Sequence, residues 1–220
     1  MKKRVVRTIV AMTLAMMLSL GTAVVPGTGM AAADSPLGMV TVQAATVKLT
    51  GTYHQTDARK MLKKINKFRT GKNAWYWNET NSAKVKAKGL KNLTYDYKLE
   101  KVAMKRAAEI AVSFSHTRPN GQLCFSLYPD GYMWKGENIA MGTSGLMTCS
   151  NTFKMWQETN YPYSGQGHRR NMLSSGFTSV GIACFEYKGA KYWVQEFGSP
   201  LIGKKMTKAV DGKKTVKVAK

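Results

Sequence analysis

Between residues 56 and 71 the stretch TDARKMLKKINKFRTG places Ala58, Met61, Leu62, Ile65 and Phe68 at helical spacing, opposite a face of lysine and arginine. Thr56 is the expected N-cap and Gly71 lies past the end. The same period returns in DYKLEKVAMKRAAEIAVSFSH, where Leu99, Ala103, Ala107, Ile110, Ala111 and Phe114 share one stripe. Asp96 suits its cap, and Pro119 stops the helix from running far beyond His116. A third helical stretch, from about Cys149 to Thr159, sets Phe153 and Trp156 on one side. The pattern then changes. FTSVGIACFEYKGAKYWVQEFG is rich in β-branched and aromatic residues and predicts two strands joined at Lys188-Gly189. Both faces of these strands are apolar, which fits a sheet covered by helices on each side. The expected fold class is therefore α/β, a three-layer α/β/α sandwich. Residues 34–52 read as a polar connector. The lysine-rich tail 201–220 contains KTVKVAK, which predicts either an edge strand guarded by lysines or a mobile end.

The first 33 residues do not belong to that pattern. MKKRVVR supplies a basic start and Thr8 to Val25 an apolar run, the layout of a secretory signal peptide. Small residues at Ala31-Ala32-Ala33 suggest cleavage after Ala33, with Val42-Gln43-Ala44 as an alternative near 44. Cleavage leaves no segment apolar enough to cross a membrane, so the expected location is secreted and extracellular. Three cysteines remain, Cys124, Cys149 and Cys184. In an exported chain one disulfide and one spare thiol is the simplest count, with three pairings open.

Charge adds a second constraint. The chain holds 34 Lys and Arg against 12 Asp and Glu, a formal +22; the four basic residues of the first ten positions removed, +18 remains. Such an excess favours anionic partners by long-range attraction: a cell-wall polymer, an acidic lipid or a host surface. Nucleic acid is not an expected partner of an exported chain.

Acidic residues are scarce, so each one near a histidine carries weight. His116 lies in FSHTRPNG and His168 in GQGHRRNML, both at element boundaries. Glu137 sits between glycines in KGENIAMG, read as a loop, and Glu158 ends the third helix in MWQETN. Two histidines and two glutamates have the composition of an open metal site or an acid/base cleft. His54 falls outside this set and reads as an ordinary surface residue. For Arg169 and Arg170, charge on a solvated turn is the expectation for at least one, with Met172 and Leu173 anchoring that turn in the core. No HExxH helix, GxSxG elbow or Walker loop occurs.

From about Tyr53 to Pro200 the chain resembles the CAP superfamily of cysteine-rich secretory, antigen 5 and plant pathogenesis-related proteins, whose domain is also called SCP-like. The resemblance rests on LTYDYKLEKVAMKRAAEIA leading into FSHTRPNG, then GENIAMG, MWQETN, GHRRNML and VGIACFEYKGAKYWVQEFG in family order. It implies a sandwich of the CAP type over residues 53–200 and a cleft tetrad of His116, Glu137, Glu158 and His168. It further implies that His116 and His168 hold a divalent cation, zinc or magnesium. Two functions follow as expectations: a secreted binding module using that cleft, or a metal-dependent, peptidase-like hydrolase with Glu137 or Glu158 as catalytic base. The few cysteines and the lysine tail depart from animal and plant members, so functions tied to their cysteine-rich extensions do not transfer.

Overall fold

The computed structural model describes residues 45–220. The signal peptide and its cleavage sites lie outside these residues. The helical expectations hold in the main, with boundaries set by local chemistry; the stripe expected to run on to Phe114 ends at Ile110, and Phe114 lies beyond the helix and exposed. Helix α1 spans Gln55–Arg69 and buries Ala58, Met61, Ile65 and Phe68. It begins one residue before the expected cap; Thr56 instead donates its hydroxyl to the Asp211 carboxylate. Helix α2 spans Tyr97–Ile110, and Asp96 does cap it, accepting from the backbone N–H groups of Lys98 and Leu99. Helix α3, Cys149–Trp156, stops three residues short of Thr159, and α4 is the short Gly167–Met172.

The main sheet has the order β5-β7-β6-β1-β8, with β5 spanning Trp134–Thr143, β7 Ala190–Ser199, β6 Ser179–Tyr187, β1 Thr46–His54 and β8 Asp211–Ala219. A two-residue strand, β4 (Thr94–Tyr95), runs parallel to β6 at Ser179 and Val180, while β1 pairs β6 antiparallel near its other end. The hairpin β6-β7 turns at Lys188 and Gly189, both with positive φ, as a two-residue connection between right-twisted strands requires. Outside this sheet, β2 (Trp75–Trp77) and β3 (Lys84–Lys86) form a small hairpin of their own.

Alternation along β6 and β7 sorts the core into two halves. Val180, Ile182, Cys184, Trp193 and Phe197 pack with α1, Trp156 of α3 and Met172 of α4. Ala183, Phe185 and Val194 point the other way, onto Ala103, Ala107 and Ile110 of α2. The sheet is thus buried on both faces, and the three-layer architecture follows.

Several expectations change. Residues 46–52 are not connector but most of β1; of the two readings of the tail, the edge strand holds, since 211–219 form β8, paired along the whole of β1. Lys213, Lys214 and Lys217 of β8 are exposed on this outer strand, where they discourage further pairing. Glu137 lies within strand β5, not in a loop. The three cysteines are all free thiols, Cys124 and Cys184 buried and Cys149 half-buried, so no disulfide forms among the described residues. Finally, His54 is half-buried and its Nε2 lies 2.8 Å from Glu186. No helix among the described residues is long and apolar enough to cross a membrane.

Candidate functional site

Strand β5 is an edge of the sheet, and the candidate residues gather around it from both layers. Period-2 alternation sends Glu137 and Ile139 to the α2 side and Asn138 and Ala140 to the α1 and α4 side. His116 comes from the loop after α2. That loop closes on itself through a Thr117–Leu123 bridge, and the Cys124 N–H donates to the His116 carbonyl at 3.0 Å. His168 sits in the first turn of α4, whose N-terminal neighbour Gln166 is fully buried and bonded to Trp77 N–H and the Glu158 carbonyl.

Each imidazole is held by one carboxylate. His116 Nδ1 is 2.7 Å from Glu137 Oε1, and His168 Nδ1 is 2.5 Å from Glu158 Oε1. A carboxylate on Nδ1 fixes the ring and its tautomer and leaves Nε2 as the group able to bind. Both glutamates are buried, whereas His116 is half exposed and His168 less so. Each carboxylate is itself held. Arg106, fully buried, donates Nε to Glu137 Oε2 at 2.7 Å and reaches Glu109 at 2.9 Å. The second oxygen of Glu158 accepts the Arg169 N–H at 3.1 Å.

The edge of β5 couples the two pairs. Asn171 of α4 donates to the Glu137 carbonyl at 3.3 Å and to Asn138 Oδ1 at 2.8 Å, and Asn138 donates to the His168 carbonyl at 3.1 Å. Asn171 thereby satisfies a β5 carbonyl on the open side of the edge strand, and Asn138 a carbonyl of α4. All four tetrad positions therefore occur in two matched His–Glu pairs joined through asparagines.

The electrostatics beneath His116 are set by a second carboxyl. Glu196, fully buried opposite Glu137 in the β5-β7 register, is bonded through Oε2 to the Tyr128 hydroxyl at 2.9 Å. Burial, and then the charge of Glu137, push the Glu196 carboxyl well above the usual range. As an ionised group its Oε1 is an unpartnered buried atom; as an acid it donates to Glu137. Burial alone raises the Glu137 carboxyl as well, but hydrogen bonds from His116 and Arg106 prevail and keep it below the usual range.

Cys124 is the residue that sequence reasoning missed. Its sulfur joins His116 and Glu137 in a group whose ligand atoms all lie within 4.8 Å of one another. His168 and Glu158 are not part of that group. Only the closure of the 116–124 loop brings the thiol back, and nothing in the spacing announces it. Burial pushes this thiol far up, so it is a neutral thiol unless a cation takes its proton's place. The two arginines differ: the solvated turn fails for Arg169, while Arg170 stays partly exposed. Arg169 is buried and donates to the carbonyls of Trp75, Gln157 and Asn73, fastening α4 to the β2 segment. Arg170 packs on the Tyr163 ring. Met172 and Leu173 are core, as expected.

Residues 62–197 match the model of the cysteine-rich secretory protein family, CAP. The chain belongs to that family. Among curated proteins, the uncharacterized protein YkwD of Bacillus subtilis is 29% identical over 124 residues, covering 54% of this chain. The matched part spans 44% of YkwD. Among solved structures, an outer surface protein of Borrelia burgdorferi aligns with TM-score 0.48 and 18% identity, over 67% of this CAP chain and 97% of its own. NaASP2, solved with Zn2+, aligns with TM-score 0.49 and 20% identity, over 74% and 88%.

Proposed function

We propose that this CAP chain is exported through its N-terminal signal and works outside the cell as a binding module. In this reading the cleft at the edge of β5 takes a divalent cation, zinc or magnesium, on the Nε2 atoms of His116 and His168. The basic surface meets an anionic partner: a cell-wall polymer, an acidic lipid or a host surface.

The observation that carries the reading is the pair of matched contacts in which a buried glutamate holds Nδ1 of a more exposed imidazole. This is the arrangement by which proteins aim imidazoles at cations. The donor set fits such a group: two imidazole nitrogens, with the Cys124 sulfur and the Glu137 carboxylate beside one of them. The sulfur tilts the choice toward zinc, since magnesium takes oxygen ligands. A bound cation supplies Lewis acidity and positive charge at the cleft mouth. The chain's own residues supply the rest. Arg106 holds Glu137 ionised, Glu137 and Glu158 fix the rings, and the Asn138–Asn171 link keeps the two pairs in register.

The hydrolase alternative asks Glu137 or Glu158 to take a proton from water. All four of their oxygens already accept hydrogen bonds, from His116, Arg106, His168 and the Arg169 N–H. The geometry therefore favours capture over turnover.

The test is zinc titration by calorimetry near pH 7.5 on the processed chain, beside His116→Ala/His168→Ala. One-to-one binding that disappears in the double variant supports the site. Equal heats from both proteins remove it. A Cys124→Ser variant run in parallel separates the two donor sets: loss there, with His168→Ala unaffected, moves the cation to His116, Cys124 and Glu137.

A further inference from the structure

The hairpin β2-β3 has no part in the cleft, yet it forms one wall of a groove of about 620 Å3, lined among others by Trp75, Trp77, Asn81, Lys84, Asn160 and Tyr161. Period 2 places Trp75 and Trp77 on one face, while Tyr76 between them packs toward the core. Directly paired residues share a face, so Lys84, opposite Trp77, and Lys86, opposite Trp75, flank the two indoles. The indoles meet as a corner, ring centroids 5.5 Å apart at 75°.

This platform is built, not incidental. Arg169, buried, lies 4.2 Å from the centroid of Trp75 and bonds its carbonyl, so the indole is fixed from the inside. Lys84 lies 4.2 Å from the same ring and 5.4 Å from Trp77, and it is exposed and free to move to a ligand. The far wall is the exposed run 159–162, tied to the hairpin where Asn81 Oδ1 accepts the Tyr163 N–H. That bond leaves the amide NH2 of Asn81, and the carboxamide of Asn160, as hydrogen-bonding groups at the rim.

We infer that this groove binds an anionic saccharide chain. A pyranose presents a face of C–H bonds that stacks on an aromatic ring and an edge of hydroxyls that suits carboxamides. A carboxylate on the sugar pairs with Lys84 or Lys86. An aromatic corner with amide groups at its rim and mobile lysines over its rings selects a ligand that is ring-faced, hydroxylated and negative at once. The site shares the anionic partner class with the proposed function but none of its residues, and it needs no cation.

The test is retardation in native gels containing polygalacturonate, with pullulan as neutral glycan and polyglutamate as an acidic polymer without rings, all with EDTA present. The expected result is retardation by polygalacturonate beyond that by polyglutamate, and about a tenfold weakening in Trp77→Ala, the size of a lost aromatic contact. Polyglutamate retardation is unchanged in that variant. Should Trp77→Ala fail to fold by thermal melting, Tyr161→Ser on the exposed wall decides, with the same expectation. Polyglutamate retarding the chain as strongly as polygalacturonate, or a folded variant that keeps full affinity for polygalacturonate, overturns the assignment. Because EDTA is present, neither result bears on the imidazole site.

Discussion

At the scale of single residues the site is maintained against local preference. Glu158 follows α3 with φ +45, a left-handed position that helix ends usually give to glycine. Its side chain earns the place by reaching His168 Nδ1 and the Arg169 N–H. Two substitutions separate backbone from side chain. Glu158→Ala loses the contacts and keeps the left-handed strain, whereas Glu158→Gly loses the contacts and relieves it. Glycine should therefore be more stable than alanine by about 1 kcal/mol in urea unfolding, and both should bind zinc more weakly than the parent. Asp96 shows the opposite case, a carboxylate wholly given to structure. Beyond capping α2 it accepts the Tyr132 hydroxyl at 2.6 Å and the Ile202 N–H at 3.0 Å. Burial by itself raises its carboxyl, but these donors and the Gly203 and Leu99 N–H groups win and hold it below the usual range. Asp96→Asn turns one acceptor into a donor facing donors and should cost about 2 kcal/mol at neutral pH. A depressed carboxyl adds stability above its unfolded value, about 3.9, and loses it as pH falls through the lower folded one. The gap between parent and variant should accordingly shrink in melts run below about pH 4.

At the scale of elements, packing of α2 on β6 is set by one missing side chain. A Cβ on Gly181 meets the Glu100 nitrogen at 2.1 Å and the Leu99 carbonyl carbon at 2.2 Å, backbone atoms that cannot step aside. Gly181→Ala should destabilise by about 3 kcal/mol in denaturant titration. Gly145→Ala, where a Cβ meets nothing within 4 Å, should stay within about 0.5 kcal/mol of the parent. The elements that were legible are those with strong apolar content: α1, α2, α3 and the β6-β7 hairpin. Strands β1 and β5 were not legible, for physical reasons. In β1 the inward positions Val47, Leu49, Gly51 and Tyr53 do alternate, but lysine and threonines between them give the stretch a connector's polarity. In β5 the inward residues include Glu137 and Asn138, buried polar groups whose partners come from α2, α4 and β7, so no local pattern reveals the strand. The tetrad was readable through family motifs, because its members lie in four separate segments. Cys124 was not, since only loop closure brings it to His116.

At the scale of the whole molecule, burial sharpens the charge. Of the 12 acidic residues, Asp96, Glu100, Glu109, Glu137, Glu158 and Glu196 are buried, half the total, while the 34 basic residues lose to the interior only Arg69, Arg106, Arg118 and Arg169 among the described residues. The buried acids are largely matched inside: Arg59 to Glu100, Arg106 to Glu109 and Glu137, Arg118 to Glu109. What remains outside is more uniformly positive than composition states, with Lys60, Lys63 and Lys67 on the outer side of α1 and the lysines of β8 along the sheet's edge. Attraction from such a surface is long-ranged and screened by salt, whose Debye length falls from about 14 Å at 0.05 M to about 4 Å at 0.5 M. Retention on polyglutamate should thus vanish across that range. Contact in the Trp75–Trp77 groove rests partly on stacking and hydroxyl bonds, which salt does not screen. Polygalacturonate retention at 0.5 M should therefore persist at a reduced level and weaken about tenfold in Trp77→Ala. A single salt series on parent and Trp77→Ala separates the field of the whole molecule from the chemistry of one groove: curves for the two polymers that collapse together assign all binding to charge, and curves that part at high salt assign the remainder to the aromatic corner.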